Sequence, residues 1–231
     1  MGTQTSEAYP DVPEYLKETY WWAYLHPTGV RVFERQWVVN LILWGNFARL
    51  RDDVLDTLGQ SISGRVLQVA CVYGDFSPSV AARLAPDSRF DIIDVAQVQL
   101  DNVAKKIKDH GNVTLHRQDS SMLEFPDGTF DHVVVFFLLH EQPLEVRQKT
   151  VAEAMRVVKP GGRVIFTDYH RPDLFNPFRY VMAPILITLE PFAMDMWNNE
   201  ITDWLPKGMP LQKVHKEVSF GGLYQKVVIT R

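Results

Sequence analysis

Five short apolar runs punctuate the middle of the chain, and each closes on polar or ionisable residues. They are Arg65–Val72 (RVLQVACV), Phe90–Val95 (FDIIDV), Val113–His116, Asp131–Leu139 (DHVVVFFLL) and Arg163–Thr167. Rich in β-branched residues and without in-out alternation, they read as strands buried on both faces. Between them, Ser77–Leu84, Leu100–Asp109 and Glu145–Val158 carry helical spacing, and Lys159, Pro160 and Gly161 stop the last of these. Strands alternating with helices predict a doubly wound, mostly parallel α/β sheet. Lys213–Phe220 and Leu223–Thr230 alternate and predict a closing antiparallel hairpin.

The flanks organise the rest. Residues 1–14 read as a Pro-containing arm. From Tyr15 to about Leu58 the spacing is helical, with Val30, Phe33, Trp37, Leu41 and Trp44 forming one apolar stripe. This predicts a helical cap over residues 1–60 and a sheet domain over residues 61–231, with an aromatic, proline-bearing insertion at about 171–205.

In such sheets ligands bind outside the carboxyl ends of the strands. The residues there are Cys71 to Asp75, then Asp94, then Asp119 and Ser120, then His140 and Glu141, then Asp168, Tyr169 and His170. An acid closing the second strand suits two ribose hydroxyls; it also suits the cap of the next helix. Asp119 with Ser120 suits an adenine amino group, or simply a turn.

Bulk properties narrow the classes. A chain of 231 residues holds one full core. A net charge of −4 argues against nucleic acid as partner. Cys71 is the single cysteine, which points to a reducing compartment and a cytoplasmic setting. No secretory leader and no apolar span of about twenty residues is seen, so a membrane, if met, is met at its surface. Trp and Tyr favour that interface, and Arg171 and Arg179 suit headgroups, so a peripheral position on an inner membrane is a further expectation. The aromatic residues Tyr20, Tyr24, His26, Tyr169 and Phe178 are candidate contacts for an apolar substrate; ordinary core is the alternative.

RVLQVACVYGDFS, FDIIDV, HRQDSSMLEFPDGTFDHVVVFFLLHE and EAMRVVKPGGRVIFTDYH, taken in order, resemble the motifs of class I S-adenosylmethionine (SAM) methyltransferases over about residues 64–170. The resemblance implies a Rossmann-like fold. It implies cofactor contacts at Ala70, Tyr73, Gly74, Asp94, Val95, Asp119, Ser120 and Phe137. The VVKPGG block is typical of quinone and small-molecule methyltransferases. The first motif departs from that pattern. Gln68 stands where the family has an acid, and Ala70 and Val72 stand where it has glycines; only Gly74 remains.

That altered loop, VACVYGD, together with YLHP and FERQWVVNLILWGNFARLRD, resembles the rhodoquinone biosynthesis methyltransferase-like (RquA) family. The resemblance implies a part in anaerobic respiration: conversion of ubiquinone to rhodoquinone, with SAM as amino donor and Mn2+ as a required metal. Replacing the acid by Gln68 would leave the SAM amine easier to deprotonate. Tyr73 could block methyl transfer, stack on a quinone or donate a proton. Catalytic candidates are therefore Tyr73, Gln68 and His140. Carboxylate and imidazole ligands suit manganese, which makes Asp119, His140, Asp168 and His170 the candidate metal set. A conventional methyltransferase of a quinone or other apolar small molecule shares every SAM contact and stands as the alternative.

Overall fold

The computed structural model describes residues 12–231; the expected N-terminal arm lies outside them up to residue 11. The strands are β1 (Arg65–Val69), β2 (Arg89–Asp94), β3 (Val113–Arg117), β4 (Phe130–Phe136), β5 (Val158–Tyr169), β6 (Lys213–Ser219) and β7 (Tyr224–Thr230). The helices are α1 (Glu14–Thr19), α2 (Pro27–Phe33), α3 (Gln36–Ile42), α4 (Phe47–Leu58), α5 (Phe76–Ala82), α6 (Gln97–Lys106), α7 (Leu144–Val157), α8 (Phe178–Leu189) and α9 (Asp195–Asn198). The strands form one seven-stranded sheet in the order β3-β2-β1-β4-β5-β7-β6. β2–β3, β1–β4 and β4–β5 pair in parallel, and β5–β7 and β7–β6 antiparallel. This is the Rossmann-like sheet with a C-terminal hairpin that the strand pattern predicts.

The described residues form two compact units, 12–63 with 70–119 and 64–69 with 120–231. In the first, β2 and β3 run in register from Phe90–Val113 to Asp94–Arg117, and Val103 of α6 is buried as expected. The continuous helix expected from Tyr15 to Leu58 is instead α1, a π-helical turn over Trp21–Leu25, α2, α3 and α4. Each break has a local cause. Pro27 opens α2. Arg35 is extended (φ −66°, ψ 121°) ahead of α3, and left-handed Trp44 and Gly45 follow it. Gly29 is obligatory, because a Cβ there would lie 1.8 Å from the Trp22 carbonyl oxygen.

The breaks overturn the expected stripe. A break resets which face of a helix looks inward. Trp37 and Leu41 are 63% and 64% exposed, while Val38 and Val39 between them are buried.

In the second unit β4 lies between β1 and β5. β1 stops at Val69, earlier than its apolar run, because Ala70 turns left-handed (φ +70°). β5 begins earlier than expected, at Val158, and bends at Gly161 (φ +81°). A Cβ on Gly162 would lie 2.8 Å from the Asp131 carbonyl oxygen, so this turn needs its glycine. The insertion folds into α8, α9 and a 3-10 turn over Ile201–Trp204. α8 holds Pro184 in its interior and buries only Met182 and Leu186. Among the described residues no helix is long and apolar enough to cross a membrane.

Candidate active site

The first unit carries the loop that follows β1, residues 70–75. Asp94 at the end of β2 holds it: Oδ2 accepts the Cys71 amide and Oδ1 the Ala96 amide, each at 2.8 Å. Burial pushes the Asp94 carboxyl up to about 6, against the pull of those amides. Asp94 does not cap α6, whose N-cap is Ala96. The Cys71 thiol and the Val95 amide also reach the carboxylate, so ribose hydroxyls would share its oxygens with these donors. Protonation below that value removes an acceptor. SAM affinity is therefore expected to be flat above pH about 6 and to weaken as pH falls through it. Titration calorimetry at several pH values checks this, and Asp94→Asn should weaken binding at all pH values and erase the step.

Ala70 occupies a backbone region that costs an L-residue about 1 kcal/mol and suits glycine. The glycine geometry of the related motif is thus kept without the glycine. Ala70→Gly is expected to raise stability by up to about 1 kcal/mol, read from the denaturant midpoint. At Gly74 (φ +78°) a Cβ would lie 2.8 Å from Gln36 Oε1. Lys106, in the last turn of α6, ties the loop down: its ammonium donates to the carbonyls of Val72 at 3.1 Å and Gly74 at 2.8 Å, and pairs with Glu34 at 2.9 Å. Asp75 pairs with Arg51 at 2.5 Å.

Tyr73, expected to block methyl transfer, stack on a quinone or donate a proton, has its hydroxyl engaged twice. Its hydroxyl donates to the Ala23 carbonyl at 2.6 Å and accepts from Gln99 Nε2 at 2.7 Å. Its ring stacks on Tyr24 (5.7 Å, 7° between planes) and Phe33 (6.1 Å). The hydroxyl is occupied in binding the loop to the N-terminal helices. Of the expected substrate contacts in this unit, Tyr20 is buried. Tyr24 is in the Tyr73 stack, and His26 caps α2, its Nδ1 accepting the Thr28 amide at 3.2 Å.

The second unit carries a buried polar centre. Asp168 ends β5, and four donors converge on its carboxylate. His140 Nδ1 (2.8 Å) and the Tyr169 amide (2.7 Å) reach Oδ1; the Leu139 (2.9 Å) and His140 (3.3 Å) amides reach Oδ2. Burial alone would lower the His140 pKa; the charge and hydrogen bond of Asp168 outweigh it and raise it to about 9. The Tyr169 ring packs edge-on against His140 at 4.8 Å, and Phe137 (φ +53°) meets both. Gln68 is fully buried in β1, opposite Val134.

The expected metal set does not assemble. Among the described residues no three His, Cys, Asp or Glu side chains gather as a cation site. The Asp168 oxygens are filled by N–H donors, and the His140 nitrogen nearest Asp168 is committed to it. His170 Nδ1 donates to the Gly222 carbonyl at 2.8 Å. These residues do not fit Mn2+ as placed. Ser120, an expected adenine contact, is hydrogen-bonded within its own unit. Its hydroxyl lies 3.0 Å from that of Thr150 and accepts from Gln142 Nε2 at 2.9 Å.

The strand-end rule finds Asp94, His140 and Asp168, but it passes over Lys106, Gln99 and Arg147. The first two lie inside α6, where a cation in the last turn is an ordinary surface feature. Arg147 lies within α7 and is fully buried; a cation inside an amphipathic repeat carries no burial signal.

A family description, methyltransferase domain, matches residues 66–162. The demethylmenaquinone methyltransferase of Listeria monocytogenes serotype 4b is 30% identical over 166 residues, 67% of this chain and 69% of that protein. The demethylmenaquinone methyltransferase of Geobacillus kaustophilus is 27% identical over 193 residues, 78% and 81% of the two chains. Among solved structures, a SAM-dependent methyltransferase from Aquifex aeolicus superposes with a TM-score of 0.56 at 18% identity, covering 88% of this chain and 97% of that one. Haemonchus contortus phosphoethanolamine N-methyltransferase 2, solved with SAM, gives 0.62 at 13% identity over 94% and 59%. The solved structures speak for the fold, and the Listeria relative, aligned over two thirds of both proteins, speaks for descent. The chain belongs to the class I SAM-dependent methyltransferase family.

Proposed function

We propose that the protein methylates an apolar quinone, in its reduced form, at a ring carbon. The observation that carries this is the pair of relatives above, both demethylmenaquinone methyltransferases, which align over 67% and 78% of this chain. When bound, SAM supplies an electrophilic methyl carbon. Asp94 orients the ribose, and the loop held by Lys106 lines the approach. A ring carbon becomes nucleophilic as its neighbouring hydroxyl loses a proton to solvent; its bond to the methyl carbon forms as the methyl–sulfonium bond breaks, and the ring carbon's own proton then passes to solvent. His140, kept as an imidazolium by Asp168, stabilises the oxyanion that results. Asp168 acts as its positioning residue, holding the ring through Nδ1.

A second reading, conversion of ubiquinone to rhodoquinone, is favoured by one observation. The loop bears Gln68, Ala70 and Val72 where methyltransferases carry an acid and two glycines, and it is closed by Tyr73. In that reaction the SAM nitrogen would add to the ring carbon, methoxide would leave with a proton as methanol, and the SAM Cα–N bond would then break with loss of a Cβ proton to release the aminoquinone. The reading implies Mn2+, which the side chains as placed do not hold.

A peripheral membrane position also belongs to this proposal. It is supported by α8, whose Tyr180, Val181, Ile185, Ile187 and Leu189 are exposed.

One experiment separates the reactions. The protein is incubated with SAM carrying heavy carbon in its methyl and heavy nitrogen in its amino group. Reduced short-tail demethylmenaquinone and short-tail ubiquinone are supplied, with and without Mn2+, and products are read by mass spectrometry. Heavy carbon in the quinone is the expected result. Heavy nitrogen, appearing only with Mn2+, would establish the second reading instead. A protein that binds SAM and labels neither quinone would overturn both.

A further inference from the structure

We propose that a groove in the second unit, formed by residues 173–178 and the turn at 220–221, holds the apolar side chain of the substrate, a linear isoprenoid-type chain. The inference rests on the reading that the substrate is an apolar quinone.

The groove is open to solvent and has a volume of about 740 Å³. Leu174, Phe175, Pro177, Phe178 and Phe220 line it, and Asp173 is the single ionisable side chain on its wall. It is built by a specific interlock. Asn176 Nδ2 donates to the carbonyls of Phe220 at 2.8 Å and Gly221 at 3.0 Å, and the Asp173 amide donates to the Gly221 carbonyl at 2.9 Å. A Cβ on Gly221 would lie 2.6 Å from Asn176 Nδ2, so a larger residue there would force the two walls apart.

Behind the groove, packed rings run inward as a ladder. Phe178 meets Phe220 at 4.8 Å, Phe220 meets Tyr224 at 5.9 Å, and Tyr224 meets Phe137 at 5.8 Å and Tyr169 at 5.8 Å. Tyr169 packs against His140. The lip of the groove is thus joined by touching rings to the residue proposed to stabilise the quinone oxyanion. Two rungs, Phe220 (φ +52°) and Phe137 (φ +53°), are left-handed. That conformation is costly for a bulky residue and concentrates at functional sites. The Tyr224 hydroxyl, midway, is buried and has no hydrogen-bond partner among the described residues.

The apolar lining, with one carboxylate on its wall, suits an apolar chain. At the lip, Phe175 is 97% exposed and Leu174 63%. A side chain laid along the groove would cover both.

The test uses farnesol, an isoprenoid without a quinone ring. Titration calorimetry should show saturable binding to the intact protein. Leu174→Ser combined with Phe175→Ser should weaken it by about tenfold or more. Both side chains are exposed, so an unchanged melting temperature and SAM affinity would show that the fold is intact. Phe175→Ser alone should give an intermediate loss. Absence of farnesol binding to the intact protein, or equal affinity in the double variant, would overturn the inference. So would a double variant that loses only sedimentation with phosphatidylcholine–phosphatidylglycerol vesicles, since the lip would then be a bilayer contact. Farnesol binding of the expected kind, together with no label in any quinone, would keep the groove and reject the quinone.

Discussion

Asp168→Asn is expected to cost about 3–5 kcal/mol of folding stability, the toll of breaking a buried ion pair from one side. The carboxylate collects four N–H donors, and an amide at that place turns a donor of its own toward them or leaves two unanswered. At roughly 2–4 °C per kcal/mol for a chain of this size, the melting temperature should drop by about 10 °C. The pH dependence gives a sharper signature. His140 has a folded-state pKa of about 9 against an ordinary value of 6.5. Its contribution is therefore fully present below pH 6.5 and is lost as pH rises through about 9. Denaturant midpoints across that window should fall with pH in the native protein and stay nearly flat in the variant, where His140 has lost the carboxylate that raised its pKa. A variant with a native midpoint and a native pH profile would mean that the pair does not stabilise the fold.

Arg147→Met is expected to cost about 3–5 kcal/mol as well, by a different route. The guanidinium is fully buried. Its Nε donates to the Leu139 carbonyl at 2.7 Å, and Nη2 donates to the carbonyls of Gln142 and Phe192, each at 2.8 Å. Nη1 pairs with Asp195 at 3.1 Å, and the plane lies 4.7 Å from the Trp204 ring centre. Methionine fills the volume but leaves those buried carbonyls unanswered. Lysine cannot rescue it, since one ammonium cannot reproduce a planar fork. Leu139 and Gln142 bracket His140 and Glu141, so turnover should fall further than the loss of folded protein accounts for. Urea denaturation with parallel activity measurements checks both parts; a midpoint within about 1 kcal/mol of native would refute the assignment.

The sheet was legible in the sequence because its strands are buried on both faces. Burial on both sides demands uninterrupted apolar runs, and β1, β2 and β4 are such runs. The closing hairpin was legible for the opposite reason, since β6 and β7 alternate. The N-terminal helices were not. Their apolar residues keep helical spacing across Arg35 and Trp44, where the backbone leaves the helix. Spacing survives a break, but the inward face does not, and Trp37 and Leu41 end up exposed.

The site divides in a similar way. Asp94, His140 and Asp168 could be found because strand ends are identifiable places. The roles of Tyr73 and Ser120 could not. A hydroxyl's partner is set by tertiary contact, and Gln99 and Thr150 are remote in sequence from the groups they bind. The candidate metal ligands illustrate the same limit: four suitable side chains at strand ends need not converge, and here His140 and Asp168 bind each other while His170 binds a backbone carbonyl.

The outermost strand, β6, has a consequence for how copies of the protein behave in a crowded cell. Its sequence is KVHKEVS, and among the described residues it pairs on one side only, with β7. An unpaired strand edge invites another chain to add to it. Here the invitation is declined by charge. Lys213, His215, Lys216 and Glu217 crowd seven residues; Lys216 pairs with Glu200, and Glu217 with His215 and Lys226. A foreign strand would have to strip water from these groups before gaining its first hydrogen bond. The two valines, Val214 and Val218, stay exposed without becoming a seam for aggregation. A protein already carrying bare apolar surface on α8 keeps its sheet from adding a second sticky edge.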